Sequence, residues 1–464
     1  MRYISTRGAS PTLSFEDAVL TGLACDGGLY VPEFFPALSA EDIAGFAGQI
    51  YEDVAFIVMK PFIGDAFTDT EFREIIARAY SVFGHDARCP LKQLAHNHFL
   101  LELFHGPTLA FKDVAMQLIG QMFQVALGRA GKSVTIVGAT SGDTGSAAME
   151  AFRGLDAVNT FIMYPHGRVS EVQRRQMTCV AGDNVHALAV DGDFDTCQAL
   201  LKDMFSDFDF RDRMRLASVN SINWARILAQ VVYYFTSAVA LGAPYRAVSF
   251  CVPTGNFGDI FAGYVAKRMG LPIDRLVIAT NQNDILHRTL QSGVHEKNDV
   301  IPSISPSMDI QVSSNFERLV FDLYDRKGSA VAQLFDGLRA DGRFDLSPGA
   351  LSRLRNEFDS GRVSEAETSR AITDFMRRTG AVLCPHTAIG ALVAERQVDA
   401  SDTPVITLAT AHPAKFPDAI EAAVGVRPNL PKRMVDLFDL EERATRVAGD
   451  LAMVESVIRE RTNI

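Results

Sequence analysis

V-T-I-V-G-A-T-S-G-D-T-G-S-A-A, Val134 to Ala148, runs from a short β-rich stretch through a glycine turn into a helical pattern that holds from Gly145 to Phe152. The same succession recurs along the chain. Val185–Val190 precedes the helix-like Phe194–Phe205, Val248–Val252 precedes Asp259–Met269, Leu276–Ala279 precedes Asp284–Leu290, and Val405–Ala409 precedes a helix from Lys415 to Val424. Strands that alternate with helices predict parallel sheets covered on both faces, because parallel strands need crossover connections. The expected class is therefore α/β, and ligands belong beyond the C-terminal ends of its strands.

At 464 residues the chain is too long for one simple core and predicts two or three domains. Residues 1–100, rich in Phe and Asp with short helical patterns at Ser14–Gly22 and Ala40–Phe46, form an expected N-terminal domain. Residues 101–245 and 246–430 carry the strand–helix alternation, the second interrupted by a charged helical insertion at about 300–380 that includes Ser314–Tyr324, Leu351–Phe358 and Glu365–Arg378. Residues 431–464 read as a helical tail. A net charge of −11 argues against nucleic acid as a partner, although local loops and helix ends can still hold small anions. Six cysteines without a C-x-x-C pair suit reduced thiols in a cytoplasmic setting. The opening M-R-Y-I-S-T-R-G lacks the apolar core of a signal peptide. Ile227–Ala243, broken by Gln230, Thr236 and Ser237, is shorter than the roughly 20 apolar residues of a membrane span and reads as a buried helix. No set of metal ligands is read.

Four segments carry chemistry. In H-G-P-T-L-A-F-K-D-V-A-M, His105 to Met116, Lys112 lies between an apolar Leu-Ala-Phe and the start of a helix. Apolar neighbours disfavour the ammonium, which frees the amine to condense with an aldehyde, whereas a lysine at a helix start is ordinarily a solvated group. P-T-G-N-F-G-D, Pro253 to Asp259, places Gly255 and Gly258 where backbone amides and a helix N-terminus can cradle a phosphate; structural Gly-Asn turns look the same. It matches neither the dinucleotide nor the P-loop fingerprint, so a nucleotide is disfavoured. G-A-T-S-G-D-T-G, Gly138 to Gly145, offers the hydroxyls of Thr140, Ser141 and Thr144 at another helix start, suited to a carboxylate or to plain capping. T-A-H-P-A-K-F, Thr410 to Phe416, brings a neutral hydroxyl that could face a heteroaromatic nitrogen; His412 is expected to shape the turn before Pro413, and Lys415 to lie in solvent.

In that order, A-F-K-D, T-S-G-D-T-G, G-N-F-G-D and T-A-H-P-A-K-F resemble the threonine synthases, and specifically the longer form of many bacteria and fungi. Y-I-S-T-R-G and S-F-E-D-A-V-L-T-G-L-A-C-D-G-G-L-Y-V-P-E resemble that family's opening, so the likeness covers Tyr3 to about Phe416. The resemblance implies a β-family, fold type II enzyme that uses pyridoxal 5′-phosphate. It implies Lys112 as the Schiff-base lysine, with Gly255, Asn256, Phe257, Gly258 and Asp259 on the cofactor phosphate and Thr410 facing the pyridine nitrogen. Thr140, Ser141, Gly142, Asp143 and Thr144 would take the substrate α-carboxylate; Asp143 stands where several wider relatives carry Asn. N-S-I-N-W-A-R supplies Asn220, Ser221, Asn223 and Arg226 as substrate contacts, Arg226 suiting a phosphate while a surface ion pair remains the plainer account. The domains become, in order, the family's N-terminal domain, a lysine and substrate-carboxylate domain, a cofactor-phosphate domain and a tail. The implied reaction turns O-phospho-L-homoserine and water into L-threonine and phosphate. A serine or threonine dehydratase is the nearest alternative, and a cofactor-binding regulator the alternative from another class.

Overall fold

The computed structural model describes residues 1–217, 221–398 and 402–462. Two sheets organise the chain. The larger has six strands in the order Phe358–Arg362, Ile273–Thr280, Val248–Pro253, Val405–Ala409, His98–Glu102 and Leu91–Ala95, parallel except for the last, antiparallel pair. The smaller is wholly parallel: Ala444–Val447, Val185–Val190, Val158–Pro165, Val134–Ala139 and Leu216–Ala217. The predicted α/β class is the observed one, and its central strands explain why. Val248–Pro253 and Val405–Ala409 are buried at every position, as parallel strands covered on both faces must be.

Helices fill the space around the sheets. Lys112–Ala130 and Trp224–Ala240 are buried along most of their lengths, and the first shows little amphipathic patterning. The second takes up Ile227–Ala240 of the run Ile227–Ala243 expected to be a core helix, and among the described residues no helix is long and apolar enough to cross a membrane. The N-terminal region is bolted to this core. Tyr3 donates to Phe62 O at 2.9 Å and packs its ring on Trp224, and Glu317, itself buried, receives Thr6 Oγ1 at 2.6 Å and Arg7 through two nitrogens at 3.0 and 2.9 Å.

Three parts of the architecture depart from the sequence reading. Val158–Pro165, absent from the predicted strand–helix alternation, sits between two other strands of the smaller sheet. Phe358–Arg362, inside the supposedly helical insertion, is an edge strand beside Ile273–Thr280. Ala444–Val447 adds an edge strand to the smaller sheet from within the tail expected to be helical; the tail's helix is Leu451–Arg461. Both edge strands, F-D-S-G-R and A-T-R-V, are too polar and short for β-periodicity to reveal.

Candidate active site

The loops that leave the C-terminal ends of the strands converge on one cleft of about 740 Å³, including its open mouth. Its lining brings together Lys112, Asp143, Thr144, Ser221, Arg226, the Thr254–Asp259 loop, Ser307, His386 and Thr410. Ligands in open parallel sheets bind at this place, beyond the carboxyl ends of the strands.

Lys112 opens its helix on a stitched-down loop. Asp113, fully buried, accepts from Thr108 N at 2.8 Å and Thr108 Oγ1 at 2.6 Å, and Phe111 N donates to Thr410 O at 2.8 Å. The lysine and Thr410 therefore cannot move independently. Lys112 is only 8% exposed. Its Nζ reaches Asp143 Oδ2 at 3.2 Å and Ser307 Oγ at 3.4 Å, leaving one donor direction uncommitted. Burial lowers its pKa, aided by the positive charges of Lys415 and Arg226 and opposed by Asp143. A lysine whose ammonium is disfavoured is the amine that a carbonyl cofactor requires.

Asp143 begins the Asp143–Phe152 helix after Gly142, whose φ of 140° and closeness to Gln173 admit no side chain. Its carboxylate is divided between two lysines: Oδ2 faces Lys112, and Oδ1 lies 3.0 Å from Lys415 Nζ and accepts from Gln173 Nε2 at 2.9 Å. Burial opposes its charge, but Lys112, Lys415 and His386 together hold it well below the usual carboxylate range. Beside it, His386 Nε2 accepts from Ser307 N at 3.2 Å, and burial brings the imidazole down to about 4, so the ring is neutral at pH 7.

The opposite wall is the start of the Gly258–Arg268 helix. Gly255 O and Asn256 O are tied back by Ser313 Oγ at 2.7 Å and by Asn315 N and Nδ2 at 3.0 Å. With the carbonyls turned away, no acceptor among the described residues takes the Gly255, Asn256 or Phe257 amides. The first-turn amides that follow have no intrahelical partner either. Phe257 holds a left-handed φ of 62°, an uncommon conformation for a bulky residue, which its ring contacts with Phe316 and Phe358 lock in place. The Arg226 guanidinium, 4% exposed, faces the same cleft, and burial brings it down to about 10, still a cation at pH 7.

The structure thus gathers Lys112, Gly255, Asn256, Phe257, Gly258, Asp259, Thr410, Asp143, Thr144, Ser221 and Arg226 around one cavity. Several residues have other work than expected. The Asp143 side chain is bound to two lysines and, being anionic, would repel a substrate carboxylate; only its first-turn amide suits that ligand. Thr140 Oγ1 accepts from Gly142 N and Gly145 N, both at 3.0 Å, so it shapes the loop, and Thr140, Ser141 and Gly142 lie outside the cleft lining. Asn223, fully buried, caps Trp224–Ala240 through Ala225 N at 3.0 Å and donates to Val19 O at 2.7 Å, and it lies outside the cleft lining. The Asp259 carboxyl receives the hydroxyls of Tyr233 and Tyr234, and burial pushes it up to about 7; its backbone is the part that suits an anion. Asn220 lies outside the described residues. Arg226 is buried, which removes the surface ion-pair account. Lys415, expected in solvent, is fully buried. His412 Nδ1 accepts from Ala414 N at 3.2 Å, within the turn at Pro413. The sequence reading does not include Ser307, His386 and Gln230: the first two come from a short helical turn and a helix with no motif around them, and Gln230 lies one turn beyond Arg226 on the Trp224–Ala240 helix.

A cleft with a desolvated lysine, free loop amides at a helix start and a neutral threonine hydroxyl fits pyridoxal phosphate in its aldehyde, its phosphate and its ring. The fold and site define a fold type II pyridoxal-phosphate-dependent enzyme, and residues 87–337 match the sequence profile of that description. Residues 2–80 match the threonine synthase N terminus and residues 387–458 the threonine synthase C-terminal region. The chain is 53% identical to threonine synthase of Pseudomonas aeruginosa over 100% of its own length and 99% of that protein's. It superimposes on pyridoxal-phosphate-bound threonine synthase from Brucella melitensis with a TM-score of 0.98 at 54% identity, covering 100% of both chains, and on the yeast enzyme with 0.94 at 40%, covering 99% and 98%. The chain belongs to the threonine synthase family.

Proposed function

We propose that this protein converts O-phospho-L-homoserine and water into L-threonine and phosphate, the last step of threonine biosynthesis. The observation that carries the reading is the pairing, across one cleft, of the buried Lys112 amine with an anion cradle and a buried arginine, Arg226. Two kinds of phosphate need two kinds of ligand. The Gly255–Asp259 amides would hold the cofactor phosphate, and Arg226, a planar multidentate donor, would hold that of the substrate.

Bound pyridoxal phosphate supplies an electron sink that makes the hydrogens at Cα, and then at Cβ, of the amino acid removable. The side chains direct that chemistry. Lys112 Nζ, when it is a free amine, would accept the proton from Cα and return protons at later positions. Asp143 keeps a negative charge 3.2 Å from that nitrogen and so favours proton uptake by it. The first-turn amides of Asp143 and Thr144 orient the α-carboxylate, which sets the face from which Lys112 approaches. Thr410, a neutral partner for the pyridine nitrogen, does not enforce a positive charge there as a carboxylate would. Arg226 stabilises the departing phosphate.

The test is incubation of the cofactor-loaded protein with O-phospho-L-homoserine while phosphate and amino acid are followed together. Equal amounts of threonine and phosphate are expected. Phosphate accompanied by a keto acid would indicate elimination alone and overturn the reading. Lys112→Ala is expected to abolish turnover and the borohydride-trapped cofactor linkage; a trapped linkage on another lysine would refute the assignment of Lys112.

A further inference from the structure

Two lysines share one buried carboxylate, and they are not equivalent. Lys415 Nζ meets Thr108 O at 2.6 Å, Gln176 Oε1 at 2.9 Å and Asp143 Oδ1 at 3.0 Å. An ammonium has three hydrogens and no acceptor, so three acceptors complete it and leave nothing to exchange. Its place is fixed from behind as well: Gln176 Nε2 donates to the same Thr108 O at 3.0 Å, and Ser170 Oγ donates to Lys415 O at 3.0 Å. Lys112, by contrast, spends two longer contacts, 3.2 and 3.4 Å, and opens to the cleft. Of the pair, one is built as a constant charge and the other as a variable one.

This asymmetry matters because Lys112 must be neutral in some states of the proposed reaction and charged in others. When it is neutral, a wholly buried Asp143 would be left without a counter-ion and would draw a proton to itself. We propose that Lys415 is a positioning residue for the Lys112 chemistry: it keeps Asp143 anionic whatever the state of Lys112, so that Asp143 is a fixed charge beside the reacting nitrogen and never its proton acceptor. The proposal rests on the reading that Lys112 carries the cofactor.

The charged and titratable groups around Lys112 are Asp143, Lys415, Arg226 and His386; Asp143 also faces Cys384, and Lys415 also faces Asp113 and His412. Within this cluster the Asp143 carboxylate is in direct contact with both lysines. Removing Lys415 or Asp143 must therefore shift the Lys112 nitrogen, and in opposite directions. Lys415→Met leaves Lys112 as the one cation in contact with Asp143, so loss of the proton held by that buried pair strands an unpaired carboxylate, and the apparent proton affinity at that nitrogen rises. Asp143→Asn leaves Lys112 facing Lys415 and Arg226 alone, which lowers it.

The experiment is a pH titration of the holoenzyme without substrate, in which the visible absorbance of the bound cofactor reports the protonation of the Lys112 nitrogen. The midpoint is expected to rise by about one pH unit or more in Lys415→Met, a tenfold or greater change in proton affinity, and to fall by a similar amount in Asp143→Asn. The double variant should lie between the two. A merely structural Lys415 would lower thermal stability in both variants without moving the midpoints apart. An unmoved midpoint in a Lys415→Met protein that binds cofactor overturns the proposal. Should that variant not fold, the isosteric Asp143→Asn decides, and a midpoint that stays or rises is the overturning result. Borohydride reduction and peptide mapping of each variant separate the two failures. A label away from Lys112 sinks the reading of the site, whereas a label on Lys112 with unmoved midpoints sinks only the role of Lys415.

Discussion

Gly255→Ala should damage the cofactor site while Gly258→Ala, three residues further along the same loop, should not. A Cβ on Gly255 would lie 2.7 Å from the backbone oxygen of Ser307. A relaxed carbon–oxygen approach is roughly 3.3–3.6 Å, so one of the two loops must retreat by about 0.6 Å or more. Neither is free to do so. Gly255 O is held by Ser313 Oγ at 2.7 Å, and Ser307 Oγ sits 3.2 Å from Asp143 and 3.4 Å from Lys112. Overpacking of this kind costs about 1–3 kcal/mol, which at 1.4 kcal/mol per decade is a cofactor Kd weakened roughly 5- to 150-fold. A Cβ on Gly258 would meet Asn315 Nδ2 at 3.4 Å and Ile227 Cδ1 at 3.5 Å, ordinary contacts. Pyridoxal phosphate would be titrated into each cofactor-free variant and reconstitution followed by visible absorbance, with thermal unfolding of the cofactor-free proteins as a check on the fold. Wild-type affinity in Gly255→Ala, or a Gly258→Ala variant weaker than it, would refute the steric argument.

Arg226→Ala should raise KM for the phosphorylated substrate roughly tenfold or more, the worth of charge-assisted hydrogen bonds to a phosphate, while cofactor loading changes little; steady-state kinetics beside a reconstitution assay separate the two. Stability should fall on acidification. His98, His386 and His412 are brought down to about 4 by burial, and His295 to about 3. The unfolded chain takes up these protons below about pH 6.5 and the folded chain only near 4, so this contribution is full above pH 6.5 and lost as pH drops across that window. His295→Phe, at a ring stacked on Phe316 and Phe344, should flatten the slope in denaturant titrations run at several pH values. Asp259 acts in the other sense. Its carboxyl is pushed up to about 7 by burial, so its contribution is full below the ordinary carboxylate range and is lost as pH rises through 7. Asp259→Asn should therefore raise the unfolding free energy of the cofactor-free protein at pH 8 by about 1–3 kcal/mol; no gain there would mean that the carboxyl is not desolvated as the fold implies.

Backbone chemistry and side-chain chemistry were not equally legible in the sequence. A glycine loop between an apolar β run and a helix carries its meaning locally, since amides at a helix start are unsatisfied whatever surrounds them. The loops at Gly255–Asp259 and at Gly142 could therefore be placed as turns into helix starts from residue types and spacing, as could the strands Val185–Val190 and Val405–Ala409, whose apolar runs are broken by one polar residue each, His186 and Thr407. Lys112 was legible for a related reason, because an apolar Leu-Ala-Phe beside a lysine is itself a statement about desolvation.

The role of a charged side chain in a loop depends instead on which other loop it meets, and that information is tertiary. Asp143 in T-S-G-D-T-G looks like any helix-start carboxylate, and Lys415 in A-H-P-A-K-F like any lysine on a surface turn. Neither segment contains the other's address, since the strands that bring them together, Val134–Ala139 and Val405–Ala409, belong to different sheets. One regularity would have helped. Lys415 follows a strand end, as Asp143 does, and in a parallel sheet every loop at that end faces the ligand cleft. A charged residue just past such a strand should be assigned to the cleft first and to solvent second. Applied to this chain, the rule would have put the second lysine next to the first before any coordinates were known, and it would equally have favoured a cleft position for Arg226, whose buried helix runs along the same wall.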